Sequence, residues 1–187
     1  MNQFKSKYIA FSAPSGAGKS TIVNKLLKKY QNLALSVSAT TRNKRNNEVP
    51  GIHYFFLNHN DFQNALMEKR FIEYEEVHGN CYGTLRENVD KLTKNNKTVL
   101  FDIDVKGALS IKKEFNSAIL IFIMPPDQET LKQRLINRKS DDDETIRRRL
   151  QRMDFEYEQS KLFDFRVIND RLEQAVQEVE KIILNEK

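Results

Sequence analysis

A ten-residue stretch near the amino terminus, Ser12–Thr21, constrains this chain more than any other. It reads Ser-Ala-Pro-Ser-Gly-Ala-Gly-Lys-Ser-Thr and follows the short apolar run Tyr8–Phe11. The spacing Gly-x-x-x-x-Gly-Lys-Ser/Thr is typical of a phosphate-binding loop. Here the second glycine is Gly18, so the first is expected at position 13, where the chain has Ala13. One position of the general pattern is therefore missing.

The residues on either side of this stretch provide the context that such a loop requires. Tyr8–Ser12 predicts a short buried strand. A helix with one apolar face is predicted after the loop, from apolar residues at three- and four-residue spacing: Ile22, Val23, Leu26, Leu27 and Tyr30. An alanine fits at position 13 if its φ is negative, and we expect Gly16 and Gly18 to make the tight turn.

Bulk composition limits the classes of function. A chain of 187 residues is long enough for one well-buried domain. The formal net charge of +5 is compatible with nucleic acid, a membrane surface or an anionic small substrate, so the position of the charges must decide. The single cysteine, Cys81, excludes an internal disulfide and a cysteine-based zinc cluster. No apolar run approaches ~20 residues and no signal peptide is evident, so we expect a cytoplasmic protein without a membrane partner.

Apolar runs alternate with amphipathic ones along most of the chain. Core strands are predicted at Tyr8–Ser12, Leu33–Ala39, Thr98–Ile103, Ala118–Met124 and Phe165–Ile168. Helices between them predict an α/β fold, a parallel sheet flanked by helices on both faces. Residues 36–88, which contain extra short strands, and residues 127–155, which are charged and helical, break the alternation. We therefore expect one domain with a core at 1–35, 89–126 and 156–187 and two insertions at its ligand-binding edge.

The loop residues fit a polyphosphate. Backbone N–H groups from Ser15 to Lys19 would surround the phosphates, and the positive end of the following helix would add to the attraction. Lys19 would neutralise oxygens of the β- and γ-phosphates, and the Ser20 hydroxyl would hold Mg²⁺.

A second cluster of polar residues follows in the 36–88 insertion. Arg42 and Arg45, with Tyr54 and nearby Ser38, could grip one further phosphate between two guanidinium groups. The alternative is an ordinary solvated basic loop. Glu73 lies among apolar residues, where an unpaired carboxylate is costly, and its alternative is a surface glutamate on an edge strand.

Six motifs occur together in one order, and in combination they resemble a known family. They are Ser-Ala-Pro-Ser-Gly-Ala-Gly-Lys-Ser, Ser-Val-Ser-Ala-Thr-Thr-Arg-x-x-Arg, Gly-x-x-Tyr-Phe-Phe, Phe-Ile-Glu, Gly-Asn-x-Tyr-Gly-Thr and Asp-Ile-Asp-x-x-Gly. Over essentially its whole length the chain resembles a guanylate kinase of the bacterial type, in which some members also have the alanine at position 13. The resemblance implies the core of a phosphate-loop (P-loop) NTPase, a GMP-binding insertion at 36–88 and a helical lid at 127–155.

The resemblance also implies a role for each matching residue. ATP-binding residues would be Ala13, Pro14, Ser15, Gly16, Ala17, Gly18, Lys19, Ser20, Thr21, Arg134 and Asn169. GMP-binding residues would be Ser38, Arg42, Arg45, Tyr54, Glu73, Tyr82, Thr84 and Asp102. Charge stabilisation during transfer would fall on Lys19, Arg42, Arg138 and Arg149. Mg²⁺, carried with ATP, would be held by Ser20 and, through water, by Asp102.

Elementary chemistry agrees with the implied base selectivity. Guanine presents N1–H and N2–H₂ donors, and a carboxylate such as Glu73 accepts twice and donates nothing, whereas adenine has an acceptor at N1. The sequence leaves open whether Asp102 contacts the base or the metal. Asp104, two residues later, would point to the same side of a strand, or would simply cap the helix that follows.

The function expected from these residues is transfer of the γ-phosphoryl group of ATP to GMP and dGMP, in purine metabolism and GMP recycling. One alternative is a kinase for another nucleoside monophosphate, and another is a non-catalytic guanylate-kinase-like interaction module. Such modules typically lose the loop lysine, whereas Lys19, Ser20, Arg42 and Glu73 are all present. Nucleic-acid binding ranks third because no aromatic-basic surface motif favours it. Oligomeric state does not follow from the sequence.

Overall fold

A computed structural model describes residues 3–77, 79–137 and 153–184 of the chain. In chain order its elements are β1 (Tyr8–Ser12), α1 (Lys19–Lys29), β2 (Leu33–Leu35), β3 (Ala39–Thr40), β4 (Phe55–Phe56), α2 (His59–Met67), β5 (Phe71–Val77), β6 (Asn80–Leu85), α3 (Arg86–Lys94), β7 (Thr98–Asp102), α4 (Val105–Glu114), β8 (Ile119–Met124), α5 (Gln128–Asn137), the helical residues 153–160 (α6), β9 (Phe165–Ile168) and α7 (Leu172–Ile183).

The larger sheet has five strands in the order β2-β7-β1-β8-β9, and every neighbouring pair is parallel. This confirms the predicted parallel sheet. The carboxyl ends of parallel strands meet at one edge, where ligands bind in open α/β sheets. Because β1 and β7 are neighbours with Phe11 opposite Asp102, the loop after β1 and the end of β7 emerge side by side.

Apolar residues on both faces of the large sheet explain why it is buried between helices. On β1, Ile9 and Phe11 belong to the cluster that α1 and α7 complete, whereas Ala10 belongs to the cluster that α3 and α4 complete. Successive side chains of a strand point to opposite faces, so one continuous apolar run serves both layers.

A second sheet, in the order β4-β3-β6-β5, lies within the 36–88 insertion together with α2. The prediction of one strand over Leu33–Ala39 is wrong. The strand β2 ends at Leu35, the Ser36 N–H still donates to the Leu100 carbonyl, and β3 then pairs with β4 and β6. The chain leaves one sheet for the other over residues 36–38, and Ser36 and Ser38 line a cavity at this edge.

Residues from the two ends of the described chain lie side by side. Phe4 and Leu184 form an antiparallel bridge, and the Lys5 N–H donates to the Ile183 carbonyl oxygen at 2.9 Å. No helix within the described ranges is long and apolar enough to cross a membrane.

Candidate active site

The loop between β1 and α1 makes its tight turn with two glycines. Gly16 has φ of 96° and Gly18 has φ of 91°, the region that favours glycine over other residues. Among the described residues, only Lys69 and Asn96 combine a side chain with a positive φ, so Ala13 has none. The expected conformations are confirmed, and an alanine at position 13 carries no backbone strain.

The start of α1 presents open backbone donors, and its own first turn carries no acidic side chain. Gly18 is the N-cap residue and no side chain caps the helix, and its first turn contains no acidic residue. The first N–H groups of a helix have no partner within the helix, and the helix dipole places partial positive charge there. This end of α1 therefore suits an anion such as a phosphate.

Lys19 and Ser20 converge on one carboxylate at the end of β7. The Lys19 ammonium lies 2.7 Å from Asp102 Oδ1 and donates to the Ile103 carbonyl oxygen at 2.8 Å. The Ser20 hydroxyl donates to Asp102 Oδ2 at 2.9 Å. Hydroxyl and carboxylate oxygens are ligands that Mg²⁺ prefers, usually alongside phosphate oxygens and water. This placement favours the metal over the base as the partner of Asp102.

Glu73 lies on the opposite side of the same space, in the second sheet. Glu73 on β5 is the cross-strand partner of Thr84 on β6, and the Thr84 hydroxyl donates to Glu73 Oε1 at 2.5 Å. Only 9% of Glu73 is exposed. Burial is the main cause that raises the pKa of Glu73 to about 7, and the charges of Asp104 and Glu75 add to it. Its second oxygen lies close to α4, 2.9 Å from where a Cβ on Gly107 would stand.

Asp104 caps α4, as one alternative predicted. Its Oδ1 accepts from the Gly107 N–H at 2.9 Å, and it lies near enough to Glu73 to raise that residue's pKa. The strand β7 ends at Asp102, so the alternation expected to orient Asp102 and Asp104 alike stops there. Asp102 consequently faces the phosphate loop, whereas Asp104 lies beside Glu73.

The guanidinium group of Arg42 is held by a residue that the sequence did not single out. Its Nη2 donates to Glu48 Oε1 at 2.6 Å and its Nη1 to the Asn43 carbonyl oxygen at 2.7 Å. Glu48 Oε2 accepts from the Arg45 backbone N–H at 2.8 Å. The Arg42 hydrogen bond, followed by the Arg45 N–H, lowers the pKa of Glu48 to about 2. Glu48 therefore remains ionised wherever the protein is folded at ordinary pH.

Two tyrosines complete this end of the site. The Arg42 guanidinium lies 5.4 Å from the centre of the Tyr54 ring, and Tyr54 packs edge-on against Tyr82 with ring centres 6.0 Å apart. A guanidinium over an aromatic face is attracted by the ring quadrupole. Arg42, Tyr54 and Tyr82 thus form one cluster, and Arg45 joins it through its backbone.

A single cavity of about 550 Å³ connects the two halves of the site. It is lined at one end by loop residues and Asp102, and at the other by Ser38, Tyr54, Glu73 and Tyr82. Glu156 of α6 also borders it. A volume of this size is usual for a small-molecule site.

Some expected site residues contact the site only through another residue, and others lie outside the described residues. Thr84 reaches the site through Glu73, and Asn169 donates its side-chain amide to the Ala17 carbonyl oxygen at 2.7 Å. Arg138 and Arg149 lie outside the described residues. The backbone of Arg134 belongs to α5, and its side chain is likewise outside the description.

Two residues near the site had only weak sequence signals. Glu48 is an acid in an otherwise basic and amide-rich run, which hints at a pairing partner for the arginines. Gly107, in the Asp-Ile-Asp-x-x-Gly motif, permits the close approach of Glu73 to α4. That contact depends on the packing of the second sheet against a helix of the core, so no local sequence pattern predicts it.

Comparison with known proteins places the chain among related sequences. The family model described as guanylate kinase matches residues 5–186. The guanylate kinase of Chlorobium chlorochromatii is 44% identical over 180 residues, covering 96% of this chain and 95% of the relative. That of Rickettsia prowazekii is 43% identical over 187 residues, covering 99% and 95%. The crystal structure of guanylate kinase from Anaplasma phagocytophilum superimposes with a TM-score of 0.77 at 30% identity, covering 97% of this chain and 86% of that one.

Proposed function

The chain belongs to the guanylate kinase family, and we propose that it transfers the γ-phosphoryl group of ATP to GMP and dGMP, giving ADP and the corresponding diphosphate. The cavity that joins the phosphate loop to Glu73 carries this proposal, because one continuous space lets a nucleoside triphosphate and a guanine nucleotide face each other. The reaction belongs to purine nucleotide metabolism. Members of the family use ATP together with a divalent metal, and Mg²⁺ fits the oxygen donors here.

At the ATP end, the loop from Ala13 to Thr21 would surround the β- and γ-phosphates. Backbone N–H groups of the turn and of the first turn of α1 would donate to phosphate oxygens. Lys19, now paired with Asp102, would turn to these oxygens, while Ser20 and Asp102 would hold the metal. The metal would neutralise charge on the β- and γ-phosphates.

At the GMP end, Arg42, Arg45, Tyr54 and Tyr82 would hold the monophosphate, and Glu73 would accept from guanine N1–H and N2–H₂. Ser38 also lines the cavity, and Thr84 supports Glu73 as a hydrogen-bond donor. The position of Asp104 beside Glu73 suggests that it, and not Asp102, lies on the base side.

Transfer requires positioning and charge stabilisation and no protein nucleophile. A GMP phosphate oxygen would attack the γ-phosphorus in line, the bond from that phosphorus to the bridging oxygen would break, and ADP would leave. Arg138 and Arg149 of the 127–155 lid are proposed to stabilise the charge on the transferring group. Closure of the lid and of the 36–88 insertion would exclude water, which otherwise competes as acceptor.

The test is a coupled assay of ADP release with GMP, dGMP, AMP, UMP and TMP as acceptors. We expect GMP to be preferred over AMP by about 10⁴-fold, because adenine would leave buried polar groups unpaired. Lys19→Ala should abolish turnover while the protein remains folded. Preference for another base would support a different monophosphate kinase. GMP binding without ADP release would support the non-catalytic module.

A further inference from the structure

Asn169 makes contacts that an adenine-binding residue would not need. It follows β9 directly, and its backbone N–H donates to the Met124 carbonyl oxygen at 2.7 Å, which extends the β8–β9 pairing by one residue. Its side-chain Nδ2 donates to the carbonyl oxygen of Ala17, 152 positions earlier, at 2.7 Å. Only 5% of Asn169 is exposed, so this hydrogen bond is shielded from water.

The Ala17 carbonyl is not an arbitrary point of attachment. A trans peptide is planar, and its C=O and the next N–H point in opposite directions. The structure has no cis peptide among the described residues, so the Ala17 C=O and the Gly18 N–H are opposed. Holding the carbonyl outward toward β9 therefore turns the Gly18 N–H toward the inside of the loop, and it removes a negative oxygen from the surface that meets phosphate.

Gly18, which follows Ala17, packs closely against the side-chain amide of Asn169. A Cβ on Gly18 would stand 2.3 Å from Asn169 Nδ2, far inside contact distance. Gly18 is also the N-cap of α1, where its carbonyl accepts from the N–H groups of Thr21 and Ile22. The Asn169 amide thus rests on the junction between the turn and the helix, immediately before Lys19.

From these contacts we propose that Asn169 is a positioning residue that sets the phosphate-binding conformation of the loop, acting through the Ala17–Gly18 peptide. The proposal rests on the loop's proposed role in binding ATP. It connects β9, an edge strand of the larger sheet, to the phosphate site. Loss of Asn169 would weaken the binding of every ligand that presents a polyphosphate, whatever base the ligand carries.

The experiment compares ligands that share phosphates and differ in base. Binding of Mg²⁺-ATP, Mg²⁺-ITP and inorganic tripolyphosphate is measured by calorimetry for the unaltered protein and for Asn169→Ala and Asn169→Asp. We expect Asn169→Ala to weaken all three by a similar factor of about 10, the effect of losing one buried hydrogen bond. Asn169→Asp, of nearly the same shape, should weaken them further, because a carboxylate would repel both the Ala17 carbonyl and the phosphates.

Binding of GMP at the other end of the cavity serves as the folding control and should not change. Asn116→Asp, the same chemical change at an exposed turn, is the matched control and should leave all affinities unaltered. A loss confined to ATP would show that Asn169 acts through the base and would overturn the proposal. So would unchanged tripolyphosphate binding, or an equal loss of GMP binding. If the unaltered protein did not bind tripolyphosphate, the loop's role in the proposed function would fail as well.

Discussion

Glu73 is an acid whose charge state changes near neutral pH. Folding raises its pKa from 4.5 to about 7, mainly by burial. The proposed contact with guanine requires the ionised form, because only the carboxylate offers two acceptors to the N1–H and N2–H₂ donors. Below pH 7 a bound proton must therefore leave Glu73 before GMP can bind.

The affinity for GMP should consequently fall as pH falls below 7, by as much as about tenfold per unit. The GMP phosphate also gains a proton, with a pKa of about 6, so the pH profile needs a reference without the Glu73 carboxyl. Calorimetric titrations from pH 5.5 to 8.5 with the unaltered protein and with Glu73→Gln provide it. The affinity advantage of the unaltered protein should shrink toward low pH, and a constant ratio would contradict this role.

Glu48 orients the arginine that is proposed to hold the monophosphate. In Glu48→Gln the Arg42 guanidinium would lose its charged partner and become free to take other rotamers. We expect the KM for GMP to rise about 10-fold, since a hydrogen bond to a charged group is lost, with the KM for ATP unchanged. Glu76→Gln, the same change at an exposed position of β5, is the control. Equal effects of the two variants on steady-state kinetics would exclude a specific role for Glu48.

At the scale of elements, the first turn of α4 contacts β5, the strand that carries Glu73, because Gly107 has no side chain. In Gly107→Ala the new Cβ would meet Glu73 Oε2 at 2.9 Å and Asp104 Oδ1 at 3.4 Å. The carboxylate would have to move, so we expect a rise of about 10-fold or more in the KM for GMP.

The Gly107→Ala variant should bind GMP less tightly without losing folding stability. Alanine favours a helix over glycine by about 1 kcal/mol, so urea denaturation should show Gly107→Ala to be at least as stable as the unaltered protein. A variant that binds GMP normally would show that Glu73 can shift without consequence.

The elements of the core follow from the sequence, whereas those of the insertion follow only in part. Tyr8–Ser12 and Phe165–Ile168 were predicted with the bounds that the structure has, because a run of mainly apolar residues marks each strand. The strand β6 was not predicted, since its glycine and small polar residues give no periodic signal. Leu33–Ala39 looked continuous because period-two alternation does not reveal which sheet a residue joins.

The candidate site divides in the same way. The phosphate loop is local in sequence, so Ser12–Thr21 could be recognised directly. The pairing of Arg42 with Glu48, and that of Asn169 with Ala17, depend on how distant or irregular segments meet. The motif resemblance gave Arg42 and Asn169 expected roles in binding ligands, but it did not give their partners in the protein, which only the fold assigns.

Across the whole molecule, each sheet has its own apolar cluster, and Ile72 of β5 also packs against a cluster of the larger sheet. Both faces of the five-stranded sheet are packed by helices, whereas the four-stranded sheet relies on a smaller cluster around Phe62 and Phe71. Regions with fewer buried apolar contacts open more readily. We expect faster amide hydrogen exchange in β5 and β6 than in β1 and β8.

Each substrate should then protect its own region from exchange. GMP should slow exchange in β5 and β6, and a non-hydrolysable ATP analogue should slow it at residues 14–21, because each ligand stabilises the state that binds it. Mass spectrometry of peptides from the two regions measures both effects. Protection of the loop by GMP alone would contradict the assignment of the two ends of the cavity.

The bridge between Phe4 and Leu184 makes the backbone nearly a closed ring, with Cα atoms of such a pair about 5 Å apart. A circularly permuted protein could therefore be joined there by a short linker and opened between Asn95 and Asn96, an exposed turn where Asn96 has a positive φ of 56°. Every strand would keep its neighbours in the sheets, so we expect the permuted protein to form ADP. A permuted protein that folds but is inactive would contradict this expectation. The phosphate loop would then be synthesised late in the chain, so activity would show that assembly of the site is independent of the order in which its parts are made.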